Sequence, residues 1–117
     1  MVFYQLKQAV SVAYLNLALA VAFNVAAYAV FKAISDKEHT LYWALLFGGG
    51  LALGAINTFC FTSALRSLKL AVAYPVFSGA SIAGVVAVSV LVFKEQTSLI
   101  NLVGAGLVVF GIALLAR

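Results

Sequence analysis

Charged residues are scarce in this sequence. Among its 117 residues, seven are Lys or Arg and three are Asp or Glu, which is 9% of the chain, while 66% of the residues are apolar. Soluble domains have about 25% charged and about 45–50% apolar residues. This scarcity of charge excludes an ordinary soluble surface. The net charge of +4 is spread over loops and ends, so the sequence lacks the basic stripe expected of a nucleic-acid-binding protein.

Cysteine and histidine are also too few for most catalytic and metal sites. Cys60 is the single cysteine, which excludes an internal disulfide and disfavours a metal site. His39 is the single histidine, and it lies in a predicted loop without a Ser or Cys at a spacing typical of a nucleophile and its base. No glycine-rich loop carries the lysine of a phosphate-binding motif. We therefore expect no enzymatic activity, no cofactor and no metal.

Long apolar runs fill the intervals between the few charges. Each interval is about 20 residues or longer, enough for a helix to cross the hydrocarbon core of a bilayer. The sequence predicts an all-α integral membrane protein, with a single four-helix domain over residues 1–117. The predicted spans are 10–33, 41–65, 71–93 and 97–116. The first run is longer than the apolar core of a signal peptide, so we expect it to remain as a helix.

The connections between the spans are short, which predicts that consecutive helices are antiparallel neighbours. Basic residues then lie on both sides of the membrane, with Lys7, Arg66, Lys69 and Arg117 on one side and Lys32, Lys37 and Lys94 on the other. This distribution weakly favours cytoplasmic termini in a bacterial inner membrane and is compatible with insertion in both orientations. A chain this short leaves little room for a pathway, so we expect the pathway to form between two subunits, as an antiparallel pair.

Polar side chains inside the spans are the candidate site residues, because lipid offers them no hydrogen bonds. In the first span, Asn24 and Tyr28 share a helical face. Asn57 lies in the second span beside a stripe of small residues, and packing does not require an amide there. An amide can orient a ligand or join two helices, and the sequence leaves both roles open for Asn24.

The third and fourth spans have different predicted roles. In "AVAYPVFSGAS", one face carries Tyr74, Phe77, Ser78 and Ser81, which combine aromatic surface with hydroxyl groups and favour contact with a substrate. In the fourth span, the stripe of Gly104, Val108 and Gly111 is typical of a tight helix pair and predicts a dimer interface.

From Leu70 to Leu115 the chain resembles the small multidrug resistance family of the drug/metabolite transporter superfamily. The resemblance rests on the Tyr-x-x-aromatic-Ser-Gly segment, on the Gly-x6-Gly stripe and on the matching length with four spans. It implies an antiparallel homodimer in which the third helices kink for alternating access and the fourth helices hold the subunits together. Tyr74 and Phe77 correspond to the family's substrate-facing aromatic positions, with Phe77 where a Trp is usual.

The resemblance also places Asn24 where the family has an essential membrane glutamate, counting back from Lys32. A carboxyl group at that site binds protons and cationic substrates alternately, which couples export to proton entry; an amide has no proton to exchange. The three acidic residues, Asp36, Glu38 and Glu95, lie at span ends. We therefore expect a transporter without glutamate-based proton coupling.

Three functions are compatible with this sequence. The first is movement of a polyprenyl-phosphate-linked aminosugar, because the "AYP" and "KE" segments also resemble four-span flippase subunits of the same superfamily, which move such lipids. The second function is export or facilitated movement of cationic amphiphiles or polyamines. A structural partner in a membrane hetero-oligomer, without transport, is the third. The expected partners are membrane lipid, a small amphipathic or lipid-linked substrate, and a second copy or a paralogue of the chain.

Overall fold

The computed structural model describes residues 2–115, apart from the side chain of Phe3. These residues form four helices: α1 (Val2–Ile34), α2 (Leu41–Ala64), α3 (Leu70–Leu91) and α4 (Leu99–Leu115). The first three helices are long and apolar enough to cross a membrane. The fourth is apolar but has 17 residues, about 25 Å at 1.5 Å per residue.

The ends of the helices differ from the predicted span limits mainly at the N-terminus. The first predicted span begins at residue 10, whereas α1 begins at Val2. Residues 2–9 contain no Gly or Pro that would stop a helix, and Gln5, Lys7 and Gln8 are exposed. The helix therefore continues beyond its apolar part into a polar first section.

Side-chain caps mark the starts of two helices. The Oγ1 of Thr40 accepts a hydrogen bond from the Trp43 backbone N–H at 3.2 Å, and the Oγ of Ser98 accepts one from the Asn101 N–H at 3.2 Å. Each hydroxyl satisfies a backbone N–H group that has no partner within its own helix. The indole Nε1 of Trp43 also donates to the Ile34 carbonyl at 2.9 Å, which ties the start of α2 to the end of α1.

The packing order of the helices is α2, α1, α3, α4. Helix α1 packs against α2 and α3, and α3 packs against α4. The molecule measures 56 × 37 × 19 Å, so the helices form a flat array with α1 and α3 in the middle. Residues of the first and third helices therefore meet in the middle of the array.

Small side chains let the inner helices approach closely. Ala13, Leu17, Ala64 and Ala73 form the buried cluster, surrounded by Phe61, Leu65, Leu68, Val76 and Phe77. The buried residues of α1 continue as Ala20, Ala27 and Ile34, at steps of three, four or seven that follow one helical face. Asn24 lies on this face, between Ala20 and Ala27.

Candidate functional site

A chain of three polar side chains joins α1, α2 and α3. The Nδ2 of Asn24 donates to the Oγ of Ser81 at 3.1 Å. The Nδ2 of Asn57 donates to the Oδ1 of Asn24 at 3.3 Å. Asn24 is thus the central member, bonded to a different helix on each side, and its amide is held in one orientation.

An open cavity of about 480 Å³ adjoins this chain between α1 and α3. Its lining includes six residues that the sequence singles out, Asn24, Tyr28, Tyr74, Phe77, Ser78 and Ser81, and three that it does not, Ile82, Val85 and Val86. The predicted site residues of the first and third helices therefore surround one space. Their role in binding a substrate stays a prediction.

Asn57 lies behind this cavity rather than on its wall. It bonds to Asn24 but is not one of the residues that line the space. Its Oδ1 is buried and has no hydrogen-bond partner among the described residues. The structure therefore gives Asn57 a direct part in orienting Asn24, and only an indirect route to a ligand.

The hydrogen-bond directions give the cavity a donor character. Because the Oγ of Ser81 accepts from Asn24, its own hydrogen is available to an acceptor in the cavity. Within residues 2–115, no bond donated by Ser81 competes for that hydrogen. Ser78 lines the same space. A polar group bound here would thus meet hydroxyl donors and neutral amides.

Aromatic rings form one wall and the rim of the cavity. Phe77 packs against Phe61 with ring centroids 5.1 Å apart, and the ring of Tyr74 meets Phe61 edge to face at 6.4 Å. Tyr28 and Tyr74 are 56% and 58% exposed, so the cavity is open beside them. Phe61 is not among the residues predicted for the site, although it lies one helical turn after Asn57, on a neighbouring part of the same face.

Charged groups lie at one end of this region and not within it. The Lys32 Nζ is 3.1 Å from the Glu95 Oε1, and both residues line the adjoining cavity. The lining of the central cavity contains no Asp, Glu, Lys or Arg. Within the part of the chain that the structure describes, no three His, Cys, Asp or Glu side chains lie together to hold a metal ion.

The predicted interface residues on α4 are exposed in the single chain. Gly104, Val108 and Gly111 are all accessible, and a Cβ added at either glycine would meet nothing within 4 Å. Helix α4 has no buried residue along its described length. The dimer itself stays a prediction, and its proposed surface is free in this chain.

Comparison with known proteins identifies relatives of this chain. The sequence pattern of a family described as Small Multidrug Resistance protein matches residues 12–108. An uncharacterized protein, y4nH, of Sinorhizobium fredii (strain NBRC 101917 / NGR234) is 39% identical over 71 residues. That alignment covers 61% of this chain and 61% of the relative, so the chain spans less than two thirds of the length of this curated relative.

Proposed function

The chain belongs to the small multidrug resistance family, and we propose that it moves an amphipathic substrate across the membrane without exchanging a proton at its central site. Membership in this family indicates a small multi-pass membrane transporter rather than an enzyme. The observation that carries the proposal is the neutral chain of Asn57, Asn24 and Ser81 beside the cavity. These groups form hydrogen bonds but do not ionise at physiological pH.

A sugar-bearing, lipid-linked substrate fits the chemistry of this site best. Sugar oxygens accept hydrogen bonds from hydroxyl groups such as those of Ser78 and Ser81, and the aromatic wall offers apolar contact. The opening beside Tyr28 and Tyr74 would let a long acyl or polyprenyl chain remain in lipid while its head group enters the cavity. We therefore propose a polyprenyl-phosphate-linked aminosugar as the substrate class, moved by alternating access in a dimer.

A cationic amphiphile is the second candidate, and the two exposed tyrosines favour it. A cation over a tyrosine ring is stabilised by about 0.5–1 kcal/mol at exposed sites. The cavity offers no carboxylate to neutralise the charge of such a ligand. The donor hydroxyl groups match a cation less well than a sugar, so this candidate ranks second.

The proposal is tested in proteoliposomes that contain a polyprenyl-phosphate-linked aminosugar with a fluorophore on its polyprenyl tail. Dithionite bleaches only the outer leaflet, so a transporter should raise the bleached fraction to nearly all of the probe. We expect Asn24→Leu to slow this movement strongly. Gln5→Leu, which changes an exposed amide in the first turn of α1, is the matched control and should leave this movement unchanged.

A second measurement tests proton coupling in the same vesicles. A permanently charged cation, a quaternary methylammonium dye, is added under pH gradients of opposite direction. We expect neither gradient to drive uptake. Uptake driven by the gradient would contradict the proposed lack of coupling, and equal lipid movement with and without the protein would contradict transport of the lipid-linked substrate.

A further inference from the structure

The central cavity continues toward one end of the molecule as a groove between α1 and α3. An adjoining cavity of about 350 Å³ shares Tyr28 and Val85 with it and extends to Lys32 and Glu95. A third cavity, also of about 350 Å³, shares Lys32, Phe93 and Glu95 with the second. An extended molecule bound at Asn24 could thus reach the Lys32–Glu95 ion pair without leaving the groove.

The backbone holds Glu95 over this end of the groove. Lys94 has a φ of 53°, a left-handed conformation that is uncommon for a residue other than glycine. The turn brings the Glu95 N–H within 2.9 Å of the Ser89 carbonyl near the end of α3. Glu95 is therefore anchored to α3, while its partner Lys32 belongs to the last turn of α1.

The ion pair is accessible enough to exchange its partners. The side chains of Lys32 and Glu95 are 54% and 37% exposed, and exposed ion pairs are only weakly favourable. A ligand with one charge would satisfy one member and leave the other without a partner. A ligand with both charges would satisfy both, because its anion replaces Glu95 at Lys32 and its cation replaces Lys32 at Glu95.

We infer that the charged end of the groove, formed by Lys32 and Glu95, is a subsite for a zwitterionic head group that joins a phosphate to a primary amine. This inference rests on the proposed transport of an amphipathic substrate and specifies the charge pattern of that substrate. The central cavity binds the neutral polar part, and the ion pair opens to receive the two charges. Asp36 and Lys37 line the same end, which keeps its total charge balanced.

The test compares three amphiphiles with the same tail: dodecyl phosphoethanolamine, dodecyl phosphate and dodecylamine. Binding to the full chain in maltoside micelles is measured by isothermal titration calorimetry. We expect the zwitterion to bind at least about fivefold more tightly than either singly charged probe, since it alone restores both ion pairs. Equal binding of the three probes would overturn the inference.

Four variants show whether the preference comes from this pair. Glu95→Gln should remove the preference over dodecyl phosphate, and Lys32→Gln should remove the preference over dodecylamine. Glu38→Gln changes a carboxylate that lines a different cavity, and Lys7→Gln changes an exposed lysine near the start of α1. These controls should leave the preference unchanged. An equal shift in Glu38→Gln and Glu95→Gln would overturn the assignment to Glu95.

A charge-swapped variant separates recognition from damage to the fold. Lys32→Glu combined with Glu95→Lys retains an ion pair and should recover the preference for the zwitterion. Failure to recover it in a double variant that stays folded would overturn the subsite. The transport proposal fails separately. Movement of the lipid-linked probe together with equal binding of the three amphiphiles would overturn the subsite alone, whereas a clear binding preference without movement would overturn transport alone.

Discussion

Asn24 both joins helices and lines the central cavity. It joins α1 to α2 and α3 through bonds to Asn57 and Ser81, and it also lines the cavity. Hydrogen bonds between helices in a membrane contribute about 0.6 kcal/mol each on average. Because two such bonds contribute little, a large loss of transport on changing Asn24 would favour the proposed contact with the substrate over a role in helix packing alone.

Replacing the central amide with a carboxyl group should introduce proton dependence. We expect Asn24→Glu to show uptake of a quaternary methylammonium cation driven by a pH gradient, because the new group can bind a proton or the cation but not both. Asn24→Gln, which has the same length and no ionisable group, is the control and should show none. Gradient-driven uptake of similar size in the Gln variant would show that the proton is carried elsewhere.

Asn57 should act on the substrate only through Asn24. We expect Asn57→Leu to weaken binding of the lipid-linked probe by roughly threefold, the equivalent of one intramembrane hydrogen bond, because the Asn24 Oδ1 loses its donor. Asn24→Leu should weaken it more. The measurement is a binding titration of the purified protein with the probe. A larger loss for Asn57→Leu than for Asn24→Leu would place Asn57 in direct contact with the ligand.

At the scale of the helices, the width of the groove depends on how closely α1 approaches α3. A Cβ added at Gly84 would lie 2.8 Å from the Cγ2 of Val25, which is too close for ordinary contact. Valine is stiff about χ1, so it cannot easily turn away. Gly84 lies about one turn after Ser81, and the glycine therefore helps α3 bring the Ser81 hydroxyl within reach of Asn24.

Gly84→Ala should accordingly disturb both stability and the site. We expect a loss of about 1–3 kcal/mol from overpacking between α1 and α3, measured by unfolding in mixed detergent micelles. Gly48→Ala is the matched control, because a Cβ there meets nothing within 4 Å; it should be neutral or slightly stabilising, as alanine favours helix more than glycine does. Equal stability of the two variants would contradict the close approach at Gly84.

At the scale of the whole molecule, the described part of α4 packs mainly against α3. Large apolar residues of α4, including Leu107 and Phe110, are exposed. Lipid can cover these residues at no cost, but the accessible stripe of Gly104, Val108 and Gly111 also permits a second helix to approach closely. The central cavity is open beside Tyr28 and Tyr74, so a second subunit could also complete the pathway.

The predicted dimer is tested by crosslinking in membranes. In a Cys60→Ala background, we expect Gly104→Cys and Gly111→Cys chains produced together to form a mixed covalent dimer readily upon oxidation, because antiparallel stripes would bring position 104 of one subunit opposite position 111 of the other. Leu102→Cys is the control: this exposed residue lies on nearly the opposite side of α4 at 100° per residue. Crosslinking at position 102 that equals or exceeds that at position 104 would contradict the proposed interface.

The lengths of the apolar runs and the positions of the charges determined the four-helix architecture, because hydrophobic segments and short connections are local properties of the chain. The same periodicity indicated which residues share a face, such as Asn24 with Tyr28 and Tyr74 with Phe77. The first helix nevertheless extended further than its apolar part indicated, since exposed polar residues can remain helical beyond an apolar span.

Only the tertiary structure decided which faces meet. Several contacts depend on how each helix is rotated about its axis. They are the hydrogen bonds from Asn57 to Asn24 and from Asn24 to Ser81, the packing of Phe61 against the aromatic wall, and the ion pair of Lys32 with Glu95. That rotation is set by close packing between residues far apart in the sequence, such as Val25 against Gly84. Periodicity defines the faces of a helix, but the partner of each face is a property of the packed molecule.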